Sequence, residues 1–241
     1  AGKDVYCEKP ISAFIHEGRV LSDEVARFGR IFQMGSQQRS DQRFRYACEL
    51  VRNGRIGQLK HMKVGLPKGR ETGAYKEMRI PKERNYDLWL GPAPWAPYTE
   101  ARCHYNFRFI HDYSGGQMLN FGAHHLDIAQ WGNGSDLSGP VEVSGKGQFP
   151  RDGLYNNPVT YSVNYRYADG VTLNCATSNP SGVRFEGTEG WIYVTRGKLR
   201  AEKQSLLSSV IGPDEIHLYE SRDHRATFLR CVRDRAETVA P

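Results

Sequence analysis

Between residues 159 and 175 the sequence alternates. Val159, Tyr161, Val163, Tyr165 and Tyr167 take every second place, with Thr160, Ser162, Asn164 and Arg166 between them. Successive side chains of a strand point to opposite faces, so this pattern gives one apolar and one polar face. Asp169-Gly170 then supplies a pair suited to a tight reversal, and Val171 to Cys175 resumes as the partner strand. Antiparallel sheet in the second half of the chain follows, and its apolar face has to meet helices or another subunit. Val141 to Phe149, Arg184 to Glu186 and Trp191 to Val194 extend it, the last two joined through Gly187-Thr188-Glu189-Gly190. His224 to Arg235 reads as a closing helix with Phe228, Leu229 and Val232 inward.

The first 57 residues have another rhythm. Asp4 to Cys7 reads as a short buried strand and Glu8-Lys9-Pro10 as a turn. Ser12 is placed to cap a helix that runs to about Phe28, with Val20, Leu21, Val25 and Phe28 as its apolar stripe and Gly29 as its stop. Arg30 to Gly35 is a second strand. Ser40 is placed to cap a second helix, with Phe44, Ala47, Leu50 and Val51 inward and Gly54 near its end. Strand–helix–strand–helix with short turns is the order of a parallel α/β layer, but some 55 residues are too few for a free-standing doubly wound sheet. The fold expected is therefore α+β: a large, mostly antiparallel sheet with flanking helices over 58–241, preceded by a partial parallel α/β layer over 1–57. Leu59 to Leu66 is the first strand of the larger part. Residues 67–113 show little regular pattern and many rings, among them Tyr86, Trp89, Trp95, Tyr98, Tyr105 and Tyr113. Loops this long are usually functional, and such rings either pack a loop or stack on sugar faces.

Charge and cysteine content exclude several classes. The net charge of +6 is scattered, whereas nucleic-acid binding wants a one-sided basic stripe. Five widely spaced cysteines without a CxxC argue against a disulfide framework or a zinc ribbon. No apolar run approaches the ~20 residues that span a bilayer. No secretory leader opens the chain, which leaves a cytoplasmic and an exported location both open.

The stretch Ser114 to Trp131, SGGQMLNFGAHHLDIAQW, sets Asn120, His124, His125 and Asp127 among core-type residues. Read as one helix, it puts Asn120 and His124 on one face, and His124 and Asp127 likewise. A histidine on a mostly apolar helix is usually a satisfied core residue, but so dense a polar cluster is also what a site on a rigid element needs. Metal is not expected: HExxH is absent, and adjacent histidines point about 100° apart on a helix.

These residues resemble a known family. AGKDVYCEKP at the start is similar to the end of the nucleotide-binding domain in the Gfo/Idh/MocA oxidoreductases, relatives of glucose–fructose oxidoreductase and inositol dehydrogenase. The stretch from Gly115 to Asp127 resembles their GG-x-x-x-D-x-G-x-H-x-x-D motif, with Asn120 where Asp is usual. YDLWLGPAPW and FEGTEGWIYV resemble one branch, often exported. Members open with a G-x-G-x-x-G turn that holds the dinucleotide pyrophosphate. That turn is absent here, and the chain stops where relatives usually continue, so it reads as a fragment.

The resemblance implies an NAD(P)-dependent dehydrogenase, with NAD or NADP as cofactor and a sugar, polyol or related secondary alcohol as substrate. It places Lys9, Asn120 and His124 at the catalytic centre, His124 as general base and Lys9 beside the reacting hydroxyl. It places Glu8, Lys9, Pro10, Gln37 and Arg39 against the cofactor, and Tyr113, His125, Asp127 and Trp95 against substrate. Asn120, one turn before His124, is expected to reach that ring and orient it through a hydrogen bond. Relatives often pair through the open face of the sheet, so a homo-oligomer is expected. An NAD-dependent glycosidase of the same family and a non-catalytic sugar-binding or assembly protein remain alternatives.

Overall fold

The computed structural model describes residues 2–241 apart from 13 and 74. Its first layer is small. β1 (Val5–Cys7) and β2 (Phe32–Met34) pair in parallel, Val5 opposite Phe32. The chain also doubles back on them from its far end: Met34 N–H donates to Ala240 O at 2.8 Å and Thr238 Oγ1 to Phe32 O at 2.8 Å. α1 (Ile15–Arg27) joins the two strands. It starts after Phe14 rather than at a Ser12 cap, and none of its residues is buried. Val20 and Phe28, expected inward, are exposed; Leu21 and Val25 line a groove of about 270 Å³ with Ile11, Phe32 and Thr238. The apolar stripe faces this groove, not a packed core.

α2 (Gln42–Arg52) begins one residue later than expected. Asp41 is its cap, accepting from Arg43 N–H at 2.8 Å. Ser40 is engaged elsewhere: its hydroxyl lies 2.7 Å from His224 Nδ1 and 2.8 Å from Ser221 Oγ. Phe44, Ala47, Leu50 and Val51 of α2 do face inward, into the core of the second layer.

That layer is a seven-stranded sheet of β3 (Leu59–Gly65), β4 (Glu142–Gln148), β5 (Thr160–Arg166), β6 (Thr172–Ala176), β7 (Gly182–Gly187), β8 (Trp191–Thr195) and β9 (Lys198–Ala201), in the order β4-β5-β6-β3-β7-β8-β9. Only β3–β6 is parallel. The 159–175 hairpin forms as expected, Gly170 taking φ +86° at its turn. β9 was not apparent in the sequence.

Cross-strand pairing sorts the two faces. Met62, Val64, Tyr161, Leu173, Cys175, Val183, Phe185, Ile192 and Val194 share one, packed with α2 and with α5 (Gly122–Asn133). The tyrosine face of β5 thus meets helices. Close approach is built in at Gly132, where a Cβ would fall 2.4 Å from the Phe185 ring. The other face carries His61, Lys63, Asn164, Asn174, Arg184 and Glu186, half-buried or exposed.

Among the described residues of 67–113 the only helical elements are α3 (Tyr86–Leu90) and short 3-10 turns at Glu100–Arg102 and His104–Phe109. Tyr86, Leu90, Tyr98 and Cys103 form a small apolar cluster of their own. The closing helix α6 (His224–Asp234) is capped by Asp223, but it buries His224, Thr227 and Cys231, while Leu229 is exposed. Its face is chosen by polar partners: Thr227 bonds Ser221, and His224 bonds Ser40 and Met34 O. Among the described residues no helix is long and apolar enough to cross a membrane, and no cluster of His, Cys, Asp and Glu suits a metal ion.

Candidate active site

The segment 114–131 is two helices, not one. α4 (Gly116–Asn120) ends and α5 begins at Phe121. Gly116 starts α4 at φ +63°, tight against Asn157, where a Cβ would fall 2.9 Å from that side chain. In an unbroken helix the Asn120 carbonyl would accept from the His124 N–H. Instead His124 N–H donates to Phe121 O at 3.1 Å. The freed Asn120 carbonyl takes Lys9.

Lys9 leaves the end of β1 and meets α4 across 111 residues of sequence: Nζ donates to Asn120 O at 2.6 Å and to Asn120 Oδ1 at 3.0 Å. The amide is fixed in turn, Asn120 Nδ2 donating to Gln117 Oε1 at 3.0 Å. Asn120 therefore holds Lys9, and the hydrogen bond expected from it to the His124 ring is not made. Burial lowers the Lys9 pKa and Arg108 adds to the fall, with Glu8 opposing.

His124 is buried, and its Nδ1 has no hydrogen-bond partner among the described residues. Burial, then Lys9, then Arg196 push its pKa down to about 4, so at neutral pH the imidazole is uncharged. Gln38, with its amide oriented to satisfy both neighbours, donates to His124 O at 3.2 Å and accepts from Arg196 Nε at 3.2 Å. A neutral imidazole beside a partly desolvated ammonium can accept a hydroxyl proton while the cation steadies the oxygen left behind.

The remaining candidates divide. Glu8 and Gln37 come together, Gln37 Nε2 donating to Glu8 Oε1 and to Tyr6 Oη, each at 3.2 Å. Both follow the C-terminal ends of the parallel strands, the edge at which α/β layers take ligands. Pro10 follows Lys9 in the same turn. Arg39 donates to Asp127 in a fork from Nε and Nη2 at 2.7–3.1 Å, with Asp136 accepting from the same Nη2 at 2.8 Å and Trp131 beneath the guanidinium. Burial works against the Arg39 charge, but the two carboxylates outweigh it and raise its pKa. His125 faces the sheet, its Nδ1 3.1 Å from Gly65 O. Tyr113 accepts from Arg102 Nη1 at 3.0 Å and meets Trp89 edge-on. Trp95 stands 71% exposed.

Sequence reasoning missed Gln117, Gln38, Arg108 and Arg196. Thr195-Arg-Gly-Lys198 is a hairpin turn, Gly197 at φ +75°; reading it as one would have pointed to Arg196.

A family model described as the C-terminal alpha/beta domain of an oxidoreductase family, the Gfo/Idh/MocA group, matches residues 67–238. The chain belongs to the Gfo/Idh/MocA oxidoreductase family. It is 25% identical to the scyllo-inositol 2-dehydrogenase (NAD(+)) of Bacillus subtilis, over 97% of this chain and 61% of that protein. Among solved structures it is similar to the aldose–aldose oxidoreductase of Caulobacter crescentus complexed with glycerol, with TM-score 0.66, 19% identity and coverage of 99% of this chain and 64% of that one. The WlbA dehydrogenase of Bordetella pertussis, solved with NADH and UDP-GlcNAcA, gives TM-score 0.63 and 15% identity over 99% and 64%. The Gfo/Idh/MocA chain described here thus spans under two thirds of the length of these relatives. Its match to the family model takes in Asn120, His124 and Arg196, while Lys9 comes from the preceding layer.

Proposed function

We propose that this chain supplies the substrate side of an NAD(P)-dependent oxidoreductase acting on a secondary hydroxyl of a sugar or polyol. One observation carries the reading: Lys9, from the first layer, is bonded to Asn120 at the joint that precedes His124. In this reading residues 1–57 belong to the cofactor side and 58–241 to the substrate side. Glu8, Lys9, Pro10 and Gln37 suit the reactive end of the cofactor, since they follow the C-terminal ends of β1 and β2 and Lys9 reaches from there to Asn120. The sequence holds no G-x-G-x-x-G turn for a pyrophosphate. When bound, the nicotinamide supplies the hydride acceptor.

The chain's own groups do the rest. Neutral His124 takes the hydroxyl proton. Lys9 Nζ, held by Asn120, donates to the same oxygen and stabilises the alkoxide as it forms. Tyr113 and Trp95 are the proposed substrate contacts, and His125 and Asp127 are proposed to back the substrate side from behind, His125 through Gly65 O and Asp127 through its hold on Arg39. The polar open face of the sheet is the proposed contact for a second copy. In a form of the protein that carries a nucleotide-binding domain, Lys9→Ala and His124→Ala should each lower turnover by ~10²-fold or more. Near-normal turnover in both would overturn the reading.

A further inference from the structure

The charges around Lys9 and His124 do not balance. The charged groups that act most on His124 are Lys9 and Arg196, both cations, while burial keeps the neighbouring His125 and His224 uncharged at neutral pH. Arg108 and Arg196 both act on Lys9, against the single carboxylate of Glu8, which accepts from Gln37. The next acid along α5, Asp127, is closed off by Arg39. Among the described residues no carboxylate lies within 4.0 Å of the cationic atoms of Lys9, Arg108 or Arg196.

Both arginines are set in place by neutral groups. Arg196 sits over the Phe121 ring at 5.2 Å with Nε on Gln38. Arg108 lies over the Tyr105 ring at 3.8 Å and donates to Tyr105 O at 2.7 Å. Ring stacking and a carbonyl fix a guanidinium in position while leaving its other donors free for an anion. Arg196 is exposed and Arg108 half-buried, so an arriving anion can reach both, and it would relieve the lowering of the Lys9 pKa that burial and Arg108 produce. A neutral polyol needs no such field, because uncharged donors and acceptors serve its hydroxyls.

We propose that the substrate is anionic: a sugar or polyol bearing a carboxylate or a phosphate, whose charged group is held by Arg108 and Arg196 while its reacting hydroxyl meets Lys9 and His124. The proposal rests on the reading of the site as a sugar or polyol site.

The test is calorimetric titration of the chain itself, at low salt, with D-glucuronate, D-glucose 6-phosphate, D-glucose, scyllo-inositol and inorganic phosphate. At least one charged sugar should bind ~10-fold or more tightly than glucose and inositol, the two anions telling carboxylate from phosphate. Arg108→Gln and Arg196→Gln should each reduce that preference to about threefold or less, while Arg222→Gln, at a 90% exposed side chain, should leave it unchanged. Equal binding of charged and neutral sugars would overturn the anionic substrate and leave the sugar reading standing. So would a preference that survives in both variants, or inorganic phosphate binding as tightly as glucose 6-phosphate. Binding of none of the sugars would count against both readings.

Discussion

The Asn120 carbonyl accepts from Lys9 Nζ at 2.6 Å, at the place in the chain where helical continuity would have given it to the His124 N–H. A break between two short helices thus becomes the socket of a cation that starts in the other layer. The socket is neutral throughout, since the second contact is an amide oxygen. Asn120→Asp would put a carboxylate there and raise the Lys9 pKa. The Gln117 amide would have to turn to donate to the new oxygen. Slower acylation of Lys9 by an acid anhydride in the variant is the expected outcome, because only the free amine reacts. An unchanged rate would mean that Lys9 does not stay in this socket in solution.

His124 gives a pH dependence with a definite sign. Its native pKa, about 4, lies below the ordinary 6.5, so between those values the unfolded chain binds more protons than the native one. Stability is therefore full above the unfolded pKa and falls as pH drops from 6.5 towards 4. His125 and His224, both lowered by burial, act in the same direction. Melting temperatures recorded at about pH 7 and pH 5 should fall further in the wild-type chain than in His124→Gln. Equal losses would assign the dependence to the other histidines.

The Arg39–Asp127 fork ties the turn after β2 to α5, with side chains only 12% and 15% exposed. Removing one member leaves the other charged and half-satisfied. Asp127→Ala should cost about 2–4 kcal/mol in urea unfolding, with Asp136 keeping part of the pairing. Arg39→Met with Asp127→Ala should cost less than the sum of the two single changes. Strict additivity would show that the fork contributes nothing as a pair.

Cofactor affinity follows from the phosphate side. With no glycine-rich turn in the sequence, NAD(H) has no helix N-terminus prepared for its pyrophosphate. The chain as given should bind NAD(H) weakly or not at all by calorimetry. A micromolar dissociation constant would contradict this.

Assembly is tested on the open face. Asn174 lies on β6, between Asn164 and Lys63 of the neighbouring strands. Light scattering should show a dimer or larger for the folded wild-type chain, and Asn174→Arg should shift it towards monomer. A wild-type monomer at micromolar concentration would remove the proposed contact.

Much of the sheet was legible because period two leaves little choice: β5, its Asp169-Gly170 turn and β6 stand where the alternation puts them. β9 was not, since Lys-Leu-Arg-Ala is too short to show a period. The joint at Phe121 was hidden because the apolar spacing runs through it unbroken, and the Asn120 carbonyl that it frees is met by a partner 111 residues away. Ser40 and the α6 face misled for one reason: a hydroxyl, and then a histidine, found each other across the fold, and no local pattern carries that information. The Lys9–His124 neighbourhood was legible through family resemblance alone. Arg108 and Arg196 belong to an irregular loop and a turn, which have no periodicity to read.

The strand at the middle of the sheet is the first of the seven to leave the ribosome. β3 pairs with β6 and β7, so that Lys63 stands opposite both Asn174 and Arg184. Until residue 176 has been made, Met62 and Val64 have neither neighbour, and until residue 187 they lack β7, so that α2 has only part of the surface it will cover. Such distant pairing slows folding and leaves a sticky edge open during synthesis. The nascent chain is thus expected to depend on a holding chaperone for as long as β3 waits, and any truncation before β7 should yield an aggregating product, not a smaller folded one.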